Sequence, residues 1–437
     1  MIAAANRLFV LPALVRHPRA TKDDIVGFQN RSLRRLIRHA YRNVPYYRRL
    51  FDAHGISPED VRTVADLPRV PVTTRATLQA LGAGEILARG TGAARLDSDT
   101  TAGSSGRPIT IRRHWIENRI LAAIRMRAMR EFGLRSRERI AIVATATHRR
   151  DEGASRIRRW VDALRTERWH RIDNELPPAM MVARLRALGV AVLVGYPGTL
   201  ASIARSIDQA ELRALALRYV STGGEVLTAA QRADIVAGFG VPVHDTYGSH
   251  EFDLMASECP RVGGYHVADD GLILEVVQDG RAVAEGERGE VVGTGLHGYA
   301  MPFIRYVLGD LVTKGAAACP CGQPFSTIGE ITGRMLDAFP LPDGRIVHPY
   351  GVFVPIRNRS PWIRQFQVTQ TSLDRFVMKV VAAPAPTAAE LALVREMATA
   401  KLGREIVFEV EMVPEIPFEP SGKFRVYRSQ VRSEYDP

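Results

Sequence analysis

A stretch of hydroxyl and glycine residues, residues 100–108 (TTAGSSGRP), has a composition that suits a phosphate group. Glycines let the backbone approach phosphate oxygens closely, and Ser or Thr hydroxyls together with backbone N–H groups donate hydrogen bonds to them. The stretch is not a Walker loop, because G-x-x-x-x-G-K-[ST] is absent from it. Taken alone, such a segment is more often an ordinary loop than a binding site.

The three cysteines of the chain, Cys259, Cys319 and Cys321, form a second candidate site together with His266. Three thiolates and one imidazole suit tetrahedral Zn²⁺. Ordinary reduced thiols are the alternative, because a Cys-x-Cys pair is weaker evidence than two Cys-x-x-Cys pairs. No cysteine is left over, however, and we expect one structural zinc with four protein ligands.

Two short segments further along the chain carry charged residues that also suit a nucleotide. Asp310 ends the sequence RYVLGD of residues 305–310, and Lys423 ends the sequence PSGK of residues 420–423. Each segment is weak evidence by itself. In this order and spacing, however, the three segments resemble the adenylate-forming superfamily of acyl-CoA synthetases, adenylation domains and luciferases.

The resemblance rests on six motifs between residues 100 and 425, which makes coincidence very improbable. Residues 100–108 are similar to the phosphate-binding motif [ST]-[SG]-G-[ST]-T-G-x-P, residues 222–225 (TGGE) to the nucleotide-binding G-[GA]-E segment, residues 247–251 (YGSHE) to the Y-G-x-[ST]-E motif, residues 305–310 to the Y-x-x-G-D motif, residues 333–334 (GR) to the hinge motif, and residues 421–423 (SGK) to the catalytic-lysine motif.

Within that superfamily the chain looks most like the phenylacetate-CoA ligase and CapK-like branch. The segments that carry this likeness are residues 39–47 (HAYRNVPYY), 247–259 (YGSHEFDLMASEC), 301–311 (MPFIRYVLGDL) and 365–368 (QFQV). The likeness covers essentially the whole chain. The branch often has the cysteine and histidine pattern described above, which favours zinc over free thiols.

The resemblance implies a two-step, AMP-forming ligase reaction. A carboxylate attacks the α-phosphorus of ATP to give an acyl adenylate and pyrophosphate, and a nucleophile, usually the thiol of CoA, then displaces AMP. Negative charge builds up around the α-phosphorus, and Lys423 is expected to supply the cation that stabilises it. Pyrophosphate leaves as a polyanion that needs Mg²⁺, which Glu251 is expected to bind.

The remaining motif residues are expected to bind the nucleotide. Asp310 would accept hydrogen bonds from the ribose hydroxyls, and Tyr247 would pack on the adenine. The phosphate-binding residues are expected to be Thr101, Ser104, Ser105 and Gly106; the other expected nucleotide-binding positions are Gly223, Gly224, Glu225 and, at the hinge, Arg334.

The chain departs from the family motifs at three positions. Arg107 stands where Lys is common, which preserves the charge. His250 occupies the usual Ser or Thr position of the Mg²⁺ motif and is expected to change how the α-phosphate is held. Leu336 stands where the family has Asp or Lys after the hinge Arg, so the pivot is expected at Asp337.

The middle of the chain predicts the elements that position these motifs. Apolar runs at residues 140–146, 190–195, 217–224 and 241–248 end in small or polar turns, and helical stretches at 178–188 and 200–215 lie between them. Alternation of strand, turn and helix predicts an α/β fold with mostly parallel strands. Ligands of such sheets gather at the carboxyl ends of the strands, which is where the turns lie.

The predicted order of strands and helices changes around residue 333. Residues 365–369, 376–381 and 406–413 are predicted strands, and 388–402 is a predicted helix. We therefore predict a large N-terminal adenylation domain, residues 1–335, that carries the ATP, acid and zinc sites. A small α+β domain, residues 336–437, would carry the catalytic lysine and move during the cycle.

The charge balance is a second source of functional hypotheses. The net charge of +12 would suit a nucleic-acid-binding protein, but the basic residues are spread over the whole chain, and only five of the 59 are lysine. We interpret this as a preference for Arg on a solvated surface and expect no nucleic-acid partner. The early apolar run from Leu8 to Val15 is interrupted by Pro12 and too short to span a bilayer. We expect a cytoplasmic protein without a transmembrane segment.

The acceptor of the acyl group is where the sequence leaves alternatives. CoA is the leading expectation, with an aryl or acyl carboxylic acid and ATP as the other substrates. Acceptors vary in the CapK-like branch, so an amine or a carrier protein is the alternative, and a homodimer is a further expected partner. An inactive member of the family is disfavoured because Glu251, Asp310 and Lys423 are all present.

Overall fold

The computed structural model describes residues 14, 16–92, 96–100, 109–144, 168–174, 176–334, 339–343, 345–347, 349–417 and 426–431. The chain divides into two compact units, Met1–Ile331 and Thr332–Pro437. The predicted boundary after residue 335 lies within four residues of this division.

The described residues form helices and strands in the following order along the chain. The helices are α1 (Lys22–Asn43), α2 (Pro45–Ala53), α3 (Arg75–Ala80), α4 (Ala83–Ile86), α5 (Trp115–Glu131), α6 (Pro178–Leu188), α7 (Pro197–Ser206), α8 (Gln209–Arg213), α9 (Ala229–Phe239), α10 (Pro349–Asn358) and α11 (Ala388–Leu402), with short 3₁₀ turns at His17–Arg19, Pro58–Asp60 and Val64–Arg69. The strands are β1 (Asp97–Thr100), β2 (Thr110–Arg113), β3 (Ile140–Val143), β4 (Trp169–Ile172), β5 (Val192–Gly195), β6 (Tyr219–Gly223), β7 (Val243–Ser249), β8 (Asp253–Glu258), β9 (Tyr265–Val267), β10 (Leu272–Gln278), β11 (Arg281–Ala282), β12 (Arg288–Gly295), β13 (Tyr306–Lys314), β14 (Thr327–Arg334), β15 (Phe339–Pro340), β16 (Ile346–Val347), β17 (Ile363–Ser372), β18 (Arg375–Ala382), β19 (Val407–Met412) and β20 (Tyr427–Ser429).

The large unit contains a mixed sheet in the order β11-β10-β12-β13-β14-β9-β8-β7-β6-β5-β3-β4. The α/β class predicted from the sequence is confirmed. The expected predominance of parallel strands, however, holds only for β4-β3-β5-β6-β7. From β8 onward the recorded pairings in this sheet are antiparallel. Connections without helices join β7 to β8, β8 to β9 and β12 to β13, which permits antiparallel pairing of these neighbours.

The parallel part of the sheet is the part that the sequence patterns locate well. Strands β5 and β6 lie inside the predicted apolar runs, β7 extends one residue beyond its run to Ser249, and helix α6 has the predicted bounds. Strand β4 is an element that the patterns miss, because its sequence WHRI alternates apolar with polar residues in only four positions. Helices α6, α7 and α9 bury apolar residues against these strands in one continuous core.

The other half of the large unit is built around helix α1. This helix begins with a capping box, in which Thr21 and Asp24 bond to each other's backbone N–H groups. Its buried face includes Leu33, Leu36 and Ile37, as the apolar spacing predicts, and joins the core of the antiparallel strands. Pro45 begins the next helix, which ends α1 at the residue before Val44.

The small unit has its own core and its own sheet in the order β19-β18-β17-β20. Strands β17, β18 and β19 and helix α11 lie where the sequence predicts them. Helix α10, with Pro349 at its start and Pro355 inside it, is an element that the patterns miss. Within the described parts of the chain, no helix is long and apolar enough to cross a membrane.

Candidate active site and metal-binding cluster

Two of the predicted nucleotide-binding motifs lie side by side at the carboxyl ends of the parallel strands β6 and β7. Gly223 lies opposite Thr246 in register, and the Thr246 hydroxyl donates to the Thr222 carbonyl over 2.7 Å. A Cβ atom on Gly223 would lie 2.5 Å from the Thr246 hydroxyl oxygen, so only glycine fits here. This close packing brings residues 222–225 and 247–251 to one edge, as the parallel-sheet pattern predicts.

Glu225 points its carboxylate toward the N-terminus of helix α7. Its Oε2 atom accepts a hydrogen bond of 3.1 Å from the backbone N–H of Gly198, where the helix dipole favours a negative charge. Burial, together with the nearby Glu225 charge, raises the pKa of Tyr196 at the helix N-cap. Glu225 therefore has a helix-capping contact in addition to the nucleotide-binding role expected from its motif.

The two motifs that carry acidic residues are joined by a reciprocal pair of hydrogen bonds. The hydroxyl of Tyr247 donates to Oδ2 of Asp310 over 2.7 Å, and the hydroxyl of Tyr306 donates to Oε1 of Glu251 over 3.1 Å. In each motif the tyrosine precedes the acid by four residues, and each tyrosine bonds to the acid of the other motif. The Asp310 carboxylate is thus held against the motif of residues 247–251, and the Glu251 carboxylate against the motif of residues 305–310. The role of Tyr306 is one that sequence reasoning missed, although the residue lies within a recognised motif.

These contacts require the sheet to curve. Strands β14, β9 and β8 lie between β13 and β7 in the sheet order, and a flat sheet would keep β13 and β7 almost 20 Å apart. Pairing between β12 and β13 shifts register close to Asp310. Gly309, just before Asp310, has a φ of +77°, which a glycine adopts without strain. The irregular backbone at this point therefore changes the direction of strand β13, which carries Asp310.

Several predicted site residues cannot be placed. Lys423 and the four phosphate-binding candidates, Thr101, Ser104, Ser105 and Gly106, lie outside the described residues, as does the side chain of Arg334. The strands that flank the hydroxyl and glycine stretch are described, however, and form the hairpin β1–β2. From this hairpin, Arg113 reaches the backbone carbonyls of His250 and Glu251, a contact that no sequence pattern signals.

The four predicted zinc ligands come together in a single cluster. Cys259 follows β8, His266 lies in β9, and Cys319 and Cys321 lie in the connection between β13 and β14. Their sulfur and nitrogen ligand atoms all lie within 4.8 Å of one another. The Sγ atoms of Cys259 and Cys319 are 3.8 Å apart, and Sγ of Cys321 is 3.3 Å from Nε2 of His266. Residues that are far apart in sequence thus form one compact donor set.

These separations fit a tetrahedral metal site. A tetrahedron with metal–sulfur bonds of about 2.3 Å has sulfur–sulfur edges of about 3.8 Å, far longer than the roughly 2.05 Å of a disulfide. Burial lowers the pKa of His266, which favours the neutral imidazole that a metal ligand must be. Against the effect of burial, backbone N–H groups of Arg261 and Val262 donate to the Cys259 sulfur and lower its pKa. These N–H groups favour the thiolate form that binds a metal.

A buried hydrogen-bond network lies between the metal-binding cluster and the nucleotide edge. Asp245 accepts hydrogen bonds from the hydroxyl of Thr222 over 2.5 Å and from the hydroxyl of Tyr265 over 2.7 Å. Burial raises the pKa of Asp245 to about 6. Because Tyr265 precedes His266 and Thr222 precedes Gly223, this carboxyl group links the strands that carry the two sites.

Comparison with known proteins supports the motif resemblance over most of the chain. Residues 340–430 match the family model of the CapK C-terminal domain. A phenylacetate-coenzyme A ligase of Thermus thermophilus is 28% identical over 339 residues, which are 72% of this chain and 72% of the relative. The phenylacetate-coenzyme A ligase of Escherichia coli is 27% identical over 67% of this chain and 68% of its own length.

The chain is therefore similar to the phenylacetate-CoA ligase and CapK-like branch of the adenylate-forming superfamily. Solved structures agree with the fold of this branch. A 2-hydroxyisobutyryl-CoA ligase in complex with an acyl adenylate, 2-HIB-AMP, superposes with a TM-score of 0.76 at 21% identity, covering 94% of this chain and 90% of the other. An anthranilate CoA ligase in complex with anthranoyl-AMP superposes with a TM-score of 0.55 at 18% identity, covering 77% and 66% of the two chains.

Proposed function

We propose that this protein is an AMP-forming ligase that activates a carboxylic acid with ATP and transfers the acyl group to CoA. The observation that carries the proposal is that four phenylacetate-coenzyme A ligases match 67–73% of the chain at 26–28% identity. The reciprocal tyrosine–carboxylate contacts support it, because they gather Asp310 and Glu251 at the edge where a nucleotide of this family binds.

In the first step a carboxylate oxygen of the acid attacks the α-phosphorus of ATP, and the bond to the bridging oxygen of pyrophosphate breaks. The products are a mixed acyl–phosphate anhydride and pyrophosphate. Lys423 stabilises the negative charge that gathers where carboxylate and phosphate meet. Thr101, Ser104, Ser105 and Gly106 bind the β- and γ-phosphates in this proposal, through hydroxyl and backbone N–H groups.

Nucleotide binding before that step depends on residues of the large unit. In this proposal the Asp310 carboxylate accepts hydrogen bonds from the ribose, and the phenolic O–H of Tyr247, which donates to Asp310, holds it in position. Glu251, one of whose oxygens accepts from Tyr306, supplies the carboxylate for Mg²⁺. When bound, Mg²⁺ would neutralise phosphate charge and aid the departure of pyrophosphate.

In the second step the CoA sulfur attacks the acyl carbon, the anhydride bond breaks, and AMP leaves with the oxygen that came from the acid. We propose that the small unit turns between the steps about the hinge segment that begins at Gly333–Arg334, with its pivot at Asp337, so that Lys423 serves only the first. An acceptor other than CoA has no support from the relatives, all four of which are CoA ligases by name. Both ATP and CoA are cytoplasmic substrates, and we place the reaction there.

We also propose that Cys259, His266, Cys319 and Cys321 bind one zinc ion. Four protein ligands complete a tetrahedron and leave no position for water or substrate, so the ion serves structure rather than catalysis. It would join the β8–β9 turn to the connection between β13 and β14. Because β13 carries Asp310 and β8 follows the Glu251 motif, the ion would hold together the strands on which the carboxylates depend.

The function is tested by a screen for pyrophosphate release with ATP, Mg²⁺ and a panel of aryl, acyl and amino acids, each with and without CoA. We expect one class of carboxylic acid to release pyrophosphate, and CoA to raise turnover through release of the adenylate. Turnover with an amine or a carrier protein but not with CoA would mean that the second step transfers the acyl group to that acceptor instead of CoA. No acid-dependent pyrophosphate release with any acid would contradict the proposal.

A further inference from the structure

The hairpin β1–β2 is tied directly to the segment that carries Glu251. Strands β1 and β2 pair only with each other among the described strands and form a two-stranded sheet separate from the large sheet. From β2, the guanidinium nitrogen Nη2 of Arg113 donates to the carbonyl of His250 and, over 2.7 Å, to the carbonyl of Glu251. A single side chain thus holds two consecutive peptide groups next to the expected metal ligand.

A second contact joins the same two pieces of chain. Nδ1 of His250 lies 3.0 Å from Oδ2 of Asp99 on β1. Asp97 is opposite Arg113 in the hairpin register, and Asp99 follows two residues later, so Asp99 and Arg113 project from the same face. His250 is the residue that replaces the usual Ser or Thr of the motif. In this chain it therefore contacts the strand that leads into residues 101–108.

The two contacts differ in strength. The side chains of Asp99 and His250 are 51% and 41% exposed, and an exposed ion pair contributes little. Arg113 is partly buried, and its charged N–H groups bond to carbonyls, which is a stronger type of hydrogen bond. Burial lowers the pKa of Arg113, and the nearby Asp253, Asp99, Glu117 and Glu251 carboxylates oppose that shift. Arg113 is therefore the principal link, with Asp99 and His250 as support.

The backbone that Arg113 holds is conformationally costly. Asp253, two residues after Glu251, has a φ of +62°, a region that non-glycine residues seldom adopt. Oδ2 of Asp253 accepts a 3.0 Å hydrogen bond from Arg125 of helix α5, which fixes this residue from the other side. A strained turn needs such outside contacts to keep one geometry. Arg113 and Arg125 supply them before and after Phe252.

We propose that Arg113 is a positioning residue for adenylation, which fixes the Glu251 segment against the hairpin β1–β2 so that Mg²⁺-bound phosphates meet a preformed site. The proposal rests on the proposed function and adds a residue to it. Only the first half-reaction uses the β- and γ-phosphates and their metal ion. Loss of Arg113 should therefore impair Mg·ATP use, while AMP binding and the transfer of a preformed acyl adenylate to CoA should be spared.

The experiment compares Arg113→Met, Arg113→Lys and the matched control Arg112→Met in the full-length protein. Arg112 is the preceding residue of β2 and projects from the opposite face of the hairpin. Calorimetry measures binding of Mg·ATP and, separately, of AMP. Kinetics measure acid-dependent ATP–pyrophosphate exchange as a function of Mg·ATP, and single-turnover thioester formation from synthetic acyl adenylate and CoA.

For Arg113→Met we expect the Kd for Mg·ATP and the KM in exchange to rise by roughly 10- to 100-fold, on the scale of losing charge-assisted hydrogen bonds in a preorganised site. The Kd for AMP and the rate of thioester formation should stay within about 2-fold of the wild type. Arg113→Lys should recover part of the loss because it keeps a charged donor. Arg112→Met should behave as the wild type.

Two results would overturn the inference. Equal loss of Mg·ATP binding, AMP binding and thioester formation would make Arg113 a general structural residue. Unchanged Mg·ATP binding in Arg113→Met would mean that the Glu251 segment keeps its geometry without it. The binding arms need no acid substrate, so a wild-type protein that binds Mg·ATP but activates no acid would refute the proposed function while the role of Arg113 is still measured.

Discussion

The chain carries two candidate metal sites of opposite design within its large unit. The cluster of Cys259, His266, Cys319 and Cys321 is closed, with four donor atoms from the protein within 4.8 Å of one another. Glu251 belongs to no group of three or more potential metal ligands in the described part of the chain, and one of its oxygens accepts a hydrogen bond from Tyr306. The first site is complete without substrate, whereas the second needs phosphate oxygens and water to complete it.

This difference separates the role of each ion. Soft thiolates that enclose an ion suit zinc in a structural role, because no coordination position is left for chemistry. A lone carboxylate suits Mg²⁺, which keeps several waters and binds mainly through substrate phosphates. Changes at the closed cysteine and histidine cluster should therefore lower the stability of the fold, whereas changes at the open Glu251 site should lower the rate of adenylation.

The largest effect is expected on adenylation, from replacing Lys423 with Ala. Loss of this cation should lower acyl-adenylate formation by a factor of about 100 to 1,000 or more, on the scale of losing an oxyanion-hole donor. Zinc content and thioester formation from synthetic acyl adenylate should be largely unchanged, because in the proposed reaction Lys423 serves only the first step. Lys423→Arg should also be poor, since its planar guanidinium places the charge differently. Pyrophosphate exchange beside single-turnover transfer measures both steps, and undiminished exchange would refute the assignment.

At the closed cluster, Cys319→Ser should act on stability first. We expect zinc to fall from one ion per chain to a small fraction, and the free energy of unfolding to fall by roughly 3–4 kcal/mol. Metal analysis and chemical denaturation measure the two quantities, and removal of zinc from the wild type by a chelator should reproduce the loss of stability. If wild-type protein purified without chelator contains no zinc, the proposed structural zinc site is wrong.

A third change addresses the connection between the two sites. The pKa of Asp245 is raised from 3.8 to about 6, so the folded state holds its proton more tightly than the unfolded chain does. The stability that this proton provides is complete below the unfolded pKa and is lost as the pH rises through about 6. Asp245→Asn has no such titration. The wild type should therefore lose roughly 3 kcal/mol relative to this variant between about pH 4 and about pH 7.

Urea denaturation of the wild type and Asp245→Asn across that range measures the difference. Parallel stability curves for the two proteins would show that Asp245 titrates as an ordinary surface carboxylate. In that case the Thr222–Asp245–Tyr265 network would not be the buried link between the two sites that its hydrogen bonds indicate.

The smallest effect is expected from Tyr306→Phe, which removes the hydrogen bond to Glu251 and keeps the ring among Phe252 and Phe303. One hydrogen bond of about 1 kcal/mol corresponds to a loss of roughly 5-fold in adenylation. Steady-state exchange at varied Mg²⁺ should show a higher Mg²⁺ requirement rather than a lower thermal stability. A fall in stability with an unchanged Mg²⁺ requirement would instead make Tyr306 a packing residue.

The sequence predicts the two sites to different depths. The cysteine cluster is predictable because its donor types are rare, with only three cysteines in the chain, all of them in the cluster. The edge formed by residues 222–225 and 247–251 is predictable because parallel strands align their carboxyl ends. The small unit is well predicted because β17 and β18 are long strands with apolar residues recurring along them.

The contacts of Tyr306 and Arg113 could not be predicted. The first depends on the curvature of the antiparallel strands, which brings β13 near β7 across three intervening strands. The second joins Arg113 to the backbone carbonyls of His250 and Glu251, which lie 137 and 138 positions further along the chain. Because every residue has a backbone carbonyl, the identity of the acceptor residue gives no signal. Neither arrangement leaves a mark in periodicity or motif spacing, and both need coordinates.

The central claim, that the chain forms an acyl adenylate, is tested most directly by following an oxygen atom. The carboxylic acid identified in the screen is labelled with ¹⁸O in its carboxylate, and the protein is incubated with it, ATP, Mg²⁺ and CoA. Attack of the carboxylate on the α-phosphorus, followed by thiol attack on the acyl carbon, leaves one acid-derived oxygen on phosphorus. Mass spectrometry should therefore find one ¹⁸O atom in each AMP. Unlabelled AMP, or ¹⁸O in inorganic phosphate released beside ADP, would contradict the account.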